Sequence, residues 1–214
     1  MATMQDLLDD LNDRLNDANN AAGAGEANKM RWINRGIAAM WPRIYRTVID
    51  STLAVVTNTH EYAIPAAVGD ESEIFRVEIK DFSVTATRYL ELDGFDIVPA
   101  LTGRVLQLPP HISLDGSWTG ALVRITAAKP LTKLTATGSV FDGRQIYEEL
   151  PVWYALGLAI GRRIEDRTVY TRYSTIDARN GVDINEQMNA SQFAFAQFET
   201  MLERMAMPWP ASVG

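Results

Sequence analysis

The hydrophobic periodicity of this chain changes twice, and those changes constrain its fold more than any other feature. Apolar residues first recur at helical spacing. They then alternate with polar ones at every second position, and later return to helical spacing. A helix buries residues three and four apart, whereas a strand buries every second residue, so one pattern cannot stand in for the other. The order of patterns is helix, helix, β region, helix, helix. It implies an α+β chain.

Thr3 can cap a helix over residues 4–17. In it Met4, Leu7, Leu8, Leu11 and Leu15 form one apolar stripe, and Asp6, Asp9, Asp10, Asp13 and Asp17 crowd the other side. Residues 16–25, rich in Asn, Ala and Gly, read as a loop. A second helix is expected over 26–49, with Met30, Ile33, Ile37, Met40, Trp41, Ile44, Tyr45 and Val48 on its core face. Pro42 falls inside it and should kink or divide it. This helix is basic, with Lys29, Arg31, Arg35, Arg43 and Arg46.

From residue 51 to about 133 the chain favours Val, Ile, Thr and aromatics. Strands are expected at 52–57, 61–64, 74–80, 88–92, 105–108 and 121–128. The run Phe75-Arg76-Val77-Glu78-Ile79 alternates as a half-buried strand should, and Pro109-Pro110 and Asp115-Gly116 mark turns. Helical spacing returns near Gly143. Tyr147, Leu150, Tyr154, Leu158 and Ile164 give one stripe, widened by Trp153, Leu156 and Ile160. Gly157 and Gly161 allow a neighbouring helix to come close. Residues 166–183 read as a loop or an irregular extension. A last helix is expected over 184–205, with Met188, Phe195, Phe198, Met201, Leu202 and Met205 facing the core and Phe193 close by. Each amphipathic helix must bury its stripe against the others, which predicts a bundle of about four helices from residues 1–50 and 144–206. A β-rich subdomain is inserted at 51–143, and a tail follows at 207–214.

Composition bears on chemistry. With no cysteine, the chain has no disulfide, thiolate ligand or cysteine nucleophile, and it suits a reducing compartment. Neither of the two histidines, His60 and His111, has a companion at metal-ligand spacing. No phosphate loop and no nucleophile elbow is present. The pairs Glu148-Glu149 and Glu165-Asp166 are adjacent, so they diverge on a helix. No catalytic residue, cofactor or metal is expected, and the chain reads as a non-enzymatic protein without a membrane span. Its net charge of −7 disfavours tight DNA binding. The arginines of the second helix meet either phosphates or the acidic first helix, in the same subunit or in a neighbour. Charge pairing between subunits is expected through Asp9, Asp13, Arg31, Arg35 and Arg43. The segment Met207-Pro208-Trp209-Pro210 either folds back on the bundle or anchors in a partner's pocket.

Three stretches carry a resemblance. One is the acidic opening helix followed by Arg31-Trp32-Ile33-Asn34-Arg35-Gly36 and Met40-Trp41. The second is Glu61-Tyr62-Ala63-Ile64-Pro65 leading into Ile74-Phe75-Arg76-Val77. The third is Glu149-Leu150-Pro151, which opens an apolar helix with Ala155, Gly157 and Ala159. In this order of elements the chain resembles the phage head–tail connector adaptors that sit beneath the portal. The resemblance implies a helical core and a homo-oligomeric ring, commonly of twelve copies, through which DNA passes. It implies two partners, the portal on one side and a stopper (head-closure) or tail component on the other. It also implies a place in the virion neck after assembly in the host cytoplasm. Met207, Pro208, Trp209 and Pro210 would then dock on the portal. Other virion proteins (head-closure or tail-completion factors) and a DNA-packaging accessory are the alternatives.

Overall fold

The computed structural model describes residues 1–15, 25–81, 88–101, 103–114, 116–171 and 184–208, with side chains left aside at 163–171 and 184–187. The helices are α1 (Met4–Leu15), α2 (Glu26–Ala39), α3 (Pro110–Leu114), α4 (Glu149–Thr171) and α5 (Ile184–Met205). The strands are β1 (Arg46–Ala54), β2 (Glu61–Ala63), β3 (Glu73–Lys80), β4 (Tyr89–Glu91), β5 (Asp96–Ala100), β6 (Gly103–Gln107) and β7 (Leu122–Lys129). The fold is mixed α+β, and the chain divides into two compact units.

The helical unit comprises Met1–Tyr45 and Leu131–Pro208. Its core takes Met4, Leu7, Leu8 and Leu11 from α1, Trp32, Ile33 and Ile37 from α2, Leu150, Ala155 and Leu156 from α4, and Ala194, Phe198 and Leu202 from α5. The start of α1 is closed by a reciprocal cap. Asp6 N–H donates to Thr3 Oγ1 at 3.3 Å, and Asp6 Oδ2 accepts from Thr3 N–H at 2.7 Å. These bonds hold the Asp6 carboxyl below the usual carboxylate range, the backbone N–H of Thr3 contributing most. Two further first-turn donors, Met4 N–H and Gln5 N–H, reach the carbonyls of Ser139 and Thr137. Small residues set the helix packing. A Cβ on Gly36 would lie 2.7 Å from the Pro151 backbone, and one on Gly157 would lie 2.9 Å from the Phe195 ring. Ser191 Oγ donates to the Gly157 carbonyl at 2.8 Å, tying α5 to α4.

Among the described residues, the second unit is the continuous stretch Arg46–Pro130. It holds two antiparallel sheets, ordered β1-β7-β3-β4 and β2-β6-β5. In the larger sheet Val77 faces Ile125 and Ile79 faces Val123, all buried, while Glu78 faces Arg124 on the other side. That pair is bidentate, with two N–H donors of Arg124 each 2.7 Å from a Glu78 oxygen and the guanidinium 4.2 Å above the Tyr89 ring. The hydrogen bonds from Arg124 hold the Glu78 carboxyl below its ordinary range despite the opposing effect of burial. Asp50 bends β1 by accepting from Thr52 N–H and Thr52 Oγ1, and the register with β7 shifts there.

Several boundaries differ from the expectation. The helix expected over 26–49 stops at Ala39, because Pro42 cannot continue the ladder and the residue before it disfavours helix. The β-branched run Thr47-Val48-Ile49 then joins strand β1, so the β unit opens at Arg46 rather than at 51. It closes at Pro130 rather than 143, since Leu131, Leu134 and Phe141 are buried in the helical core. Strand β5 and helix α3 were not expected. Pro99 lies in β5, which an edge strand tolerates, and Pro110 stands at the first position of α3. Met188 and Phe193, expected at or near the core, are 48% and 57% exposed. Helix α4 carries the 166–183 stretch as far as Thr171, and residues 172–183 lie outside the described ones, as do 16 and 17 at the end of the first helix.

Candidate functional site

Two surfaces of the helical unit gather the residues singled out in the sequence. The first is where the chain leaves α5. Met207 N–H donates to the Arg43 carbonyl at 2.9 Å, and the Met207 side chain packs against the helical core. Tyr45 Oη donates to the Pro208 carbonyl at 2.9 Å. Burial, and then Tyr147 nearby, raises the Tyr45 hydroxyl above its ordinary value, which keeps this donor protonated. Met207 and Pro208 are thus laid along residues 43–45 of their own chain, while Trp209 and Pro210 lie outside the described residues.

The second surface is formed by charges on α1 and α2. Asp9 and Asp13 are exposed, and Asp9 accepts from Gln5 Nε2 at 2.8 Å. Asp10 instead pairs with Arg14 of its own helix at 2.8 Å, and Arg14 also lies 4.4 Å over the Trp153 ring. Arg43 pairs within the chain to Glu199 of α5 at 3.3 Å. Arg31 and Arg35 are exposed one turn apart on α2 and, among the described residues, pair with no carboxylate.

Those two arginines border a groove of about 630 Å³. One wall is α2; the other is the extended segment 133–135. Asn34 fixes that segment with two bonds, accepting from Leu134 N–H at 2.8 Å and donating to the Leu134 carbonyl at 2.9 Å. Met30 and Leu134 contribute the apolar floor, and Lys133 adds a third cation to the rim. Sequence reasoning missed Lys133, because the groove pairs residues about a hundred positions apart and no local period reports that.

Other titratable groups are held in structural contacts. Glu148 accepts from Ala2 N–H at 2.7 Å, while Glu149 faces Arg14 at 3.8 Å, so the adjacent carboxylates diverge as expected. His60 Nδ1 and Ser113 Oγ are 2.6 Å apart, a contact the sequence did not reveal. Ser113 is fully buried, and its carbonyl also accepts from Asn58 N–H. The pair ties α3 to the loop before β2 and offers a substrate no approach to the hydroxyl. Among the described residues no group of three acidic or histidine side chains could hold a metal ion. No described helix is long and apolar enough to cross a membrane. No family model and no curated protein matches this chain.

Proposed function

We propose that this chain is a structural adaptor of a phage head-to-tail connector, a ring-forming subunit that binds beneath the portal and links it to a stopper or tail component. The observation that carries the reading is the order of elements: an acidic helix, a basic helix, a β unit, then two long helices that return to the first two. In this reading α1, α2, α4 and α5 act as one four-helix bundle, and the β unit is its insert, directed outward or toward the next ring. The ring is a dodecamer in the virion neck. Its acidic balance, −7 per copy, lets DNA pass through without adhering. Exposed acids on one helix and exposed bases on another favour head-to-tail contacts between copies, and such contacts close into rings when the rotation permits. The segment from Met207 to Pro210 supplies the portal contact through Trp209, its start being anchored along residues 43–45.

Sedimentation velocity with and without the portal ring tests this. The chain alone should run as a monomer or weak oligomer and join the portal in one large complex. A stable dimer indifferent to the portal would overturn the reading. Arg31 and Arg35, which pair with no carboxylate among the described residues, also fit a DNA-packaging accessory. That alternative requires salt-sensitive DNA retardation at low ionic strength.

A further inference from the structure

We infer that the groove beside α2 is the seat for the acidic face of α1 from a second copy of this chain. The inference rests on the ring reading above and names the contact that would close the ring.

The groove selects for charge. Arg31, Arg35 and Lys133 stand on its rim, exposed, with an apolar floor between them that includes Met30 and Leu134. An occupant must bring carboxylates to the rim and some apolar surface to the floor. The exposed side of α1 supplies the carboxylates Asp6, Asp9 and Asp13, and Met1, 83% exposed just ahead of the helix, supplies apolar surface. Spacing agrees as well as sign. Asp9 and Asp13 are four residues apart, as are Arg31 and Arg35, a rise of about 6 Å in each helix. Two helices laid side by side can therefore form both pairs in one register. Asp10 is excluded because Arg14 holds it, and Arg43 because Glu199 does. Seat and face lie on different helices, so one copy can receive a neighbour with one and be received with the other. Such a contact propagates from copy to copy.

The absence of cysteine gives a clean test. Asp13→Cys and Arg35→Cys each create a protein with a single thiol. After mild oxidation, an equimolar mixture should yield about tenfold more disulfide-linked dimer than either variant alone, and high salt should suppress it. In sedimentation velocity, Arg31→Glu with Arg35→Glu, and separately Asp9→Arg with Asp13→Arg, should each weaken self-association about tenfold. Mixing the two charge-reversed proteins should restore it, since every contact between unlike copies is again complementary. Equal cross-linking in the mixture and the single variants, or self-association indifferent to reversal, overturns the inference. So does loss of DNA retardation in the Arg31→Glu/Arg35→Glu protein with self-association unchanged, which would assign the groove to phosphates. Portal binding is measured on the same proteins. Cross-linking without portal binding defeats the adaptor reading alone, and portal binding without cross-linking defeats the groove alone.

Discussion

Where α2 and α5 pack on α4, a backbone or a side chain sits against a missing side chain: Gly36 against the Pro151 backbone, Gly157 beneath the Phe195 ring. In the larger sheet of the β unit, side chains instead meet across a ladder, Val77 with Ile125 on the buried side and Glu78 with Arg124 on the other. Among the described residues, the helical unit is assembled from two stretches far apart in sequence, whereas the β unit is one continuous stretch. Precision is therefore stored differently. Helix packing depends on what is absent at a few positions, and sheet register depends on what is matched at many.

The strongest way to break this comparison is to separate the stretches. Residues 46–130 alone should melt cooperatively by circular dichroism. Residues 1–45 alone should stay unfolded, because their apolar stripes lose α4 and α5. A folded 1–45 fragment, or an unfolded 46–130, would end the contrast. Next in size is Gly36→Ala, whose methyl meets a backbone that cannot yield. A loss of about 3 kcal/mol is expected in urea unfolding, against about 1 kcal/mol for Gly157→Ala, where a partly exposed ring can turn. In the β unit, Arg124→Met leaves Glu78 mostly buried without its partner and should cost about 2 kcal/mol. Here the sign of the pH effect is informative. Because the Glu78 carboxyl is depressed in the fold, the pair's contribution is complete above the unfolded value, roughly pH 4.3, and is lost as pH falls through the folded one. The variant should show a flatter loss of stability on acidification, read from thermal melts across that range. As small as Gly157→Ala is Thr3→Ala, which removes the hydroxyl half of the α1 cap at about 1 kcal/mol.

Legibility in the sequence follows the same division. Helix α5 runs over the residues its stripe predicted, and α1 buries all five of its apolar positions, because a period of 3.6 over many residues is a redundant signal. The alternation at 75–79 likewise placed β3. What failed was short or ambiguous. Ile44, Tyr45 and Val48 fit a helical stripe, yet Pro42 ended the helix and the β-branched residues after it went to the sheet. Pro99 hid a five-residue edge strand. Of the candidate surface, the charges on α1 and α2 were readable, but the groove was not. Its second wall depends on Asn34 capturing Leu134 through two hydrogen bonds, and an asparagine inside a helical pattern announces nothing about a segment that arrives from across the chain.

The β unit begins and ends on neighbouring antiparallel strands, with Arg46 opposite Lys129, so its two ends stand only about 5 Å apart. This bears on the order in which the protein can fold. Loop closure costs more entropy the longer the intervening chain, and without the sheet α2 would have to find α4 across more than eighty unstructured residues. Once β1 has paired with β7, Tyr45 and Leu131 are already neighbours, and the same encounter becomes a search over a short tether. A β unit that forms before the helices dock thereby lowers the effective contact order of the helices that enclose it in sequence, and slowing β1–β7 pairing should slow the burial of the Ile37 side chain as well.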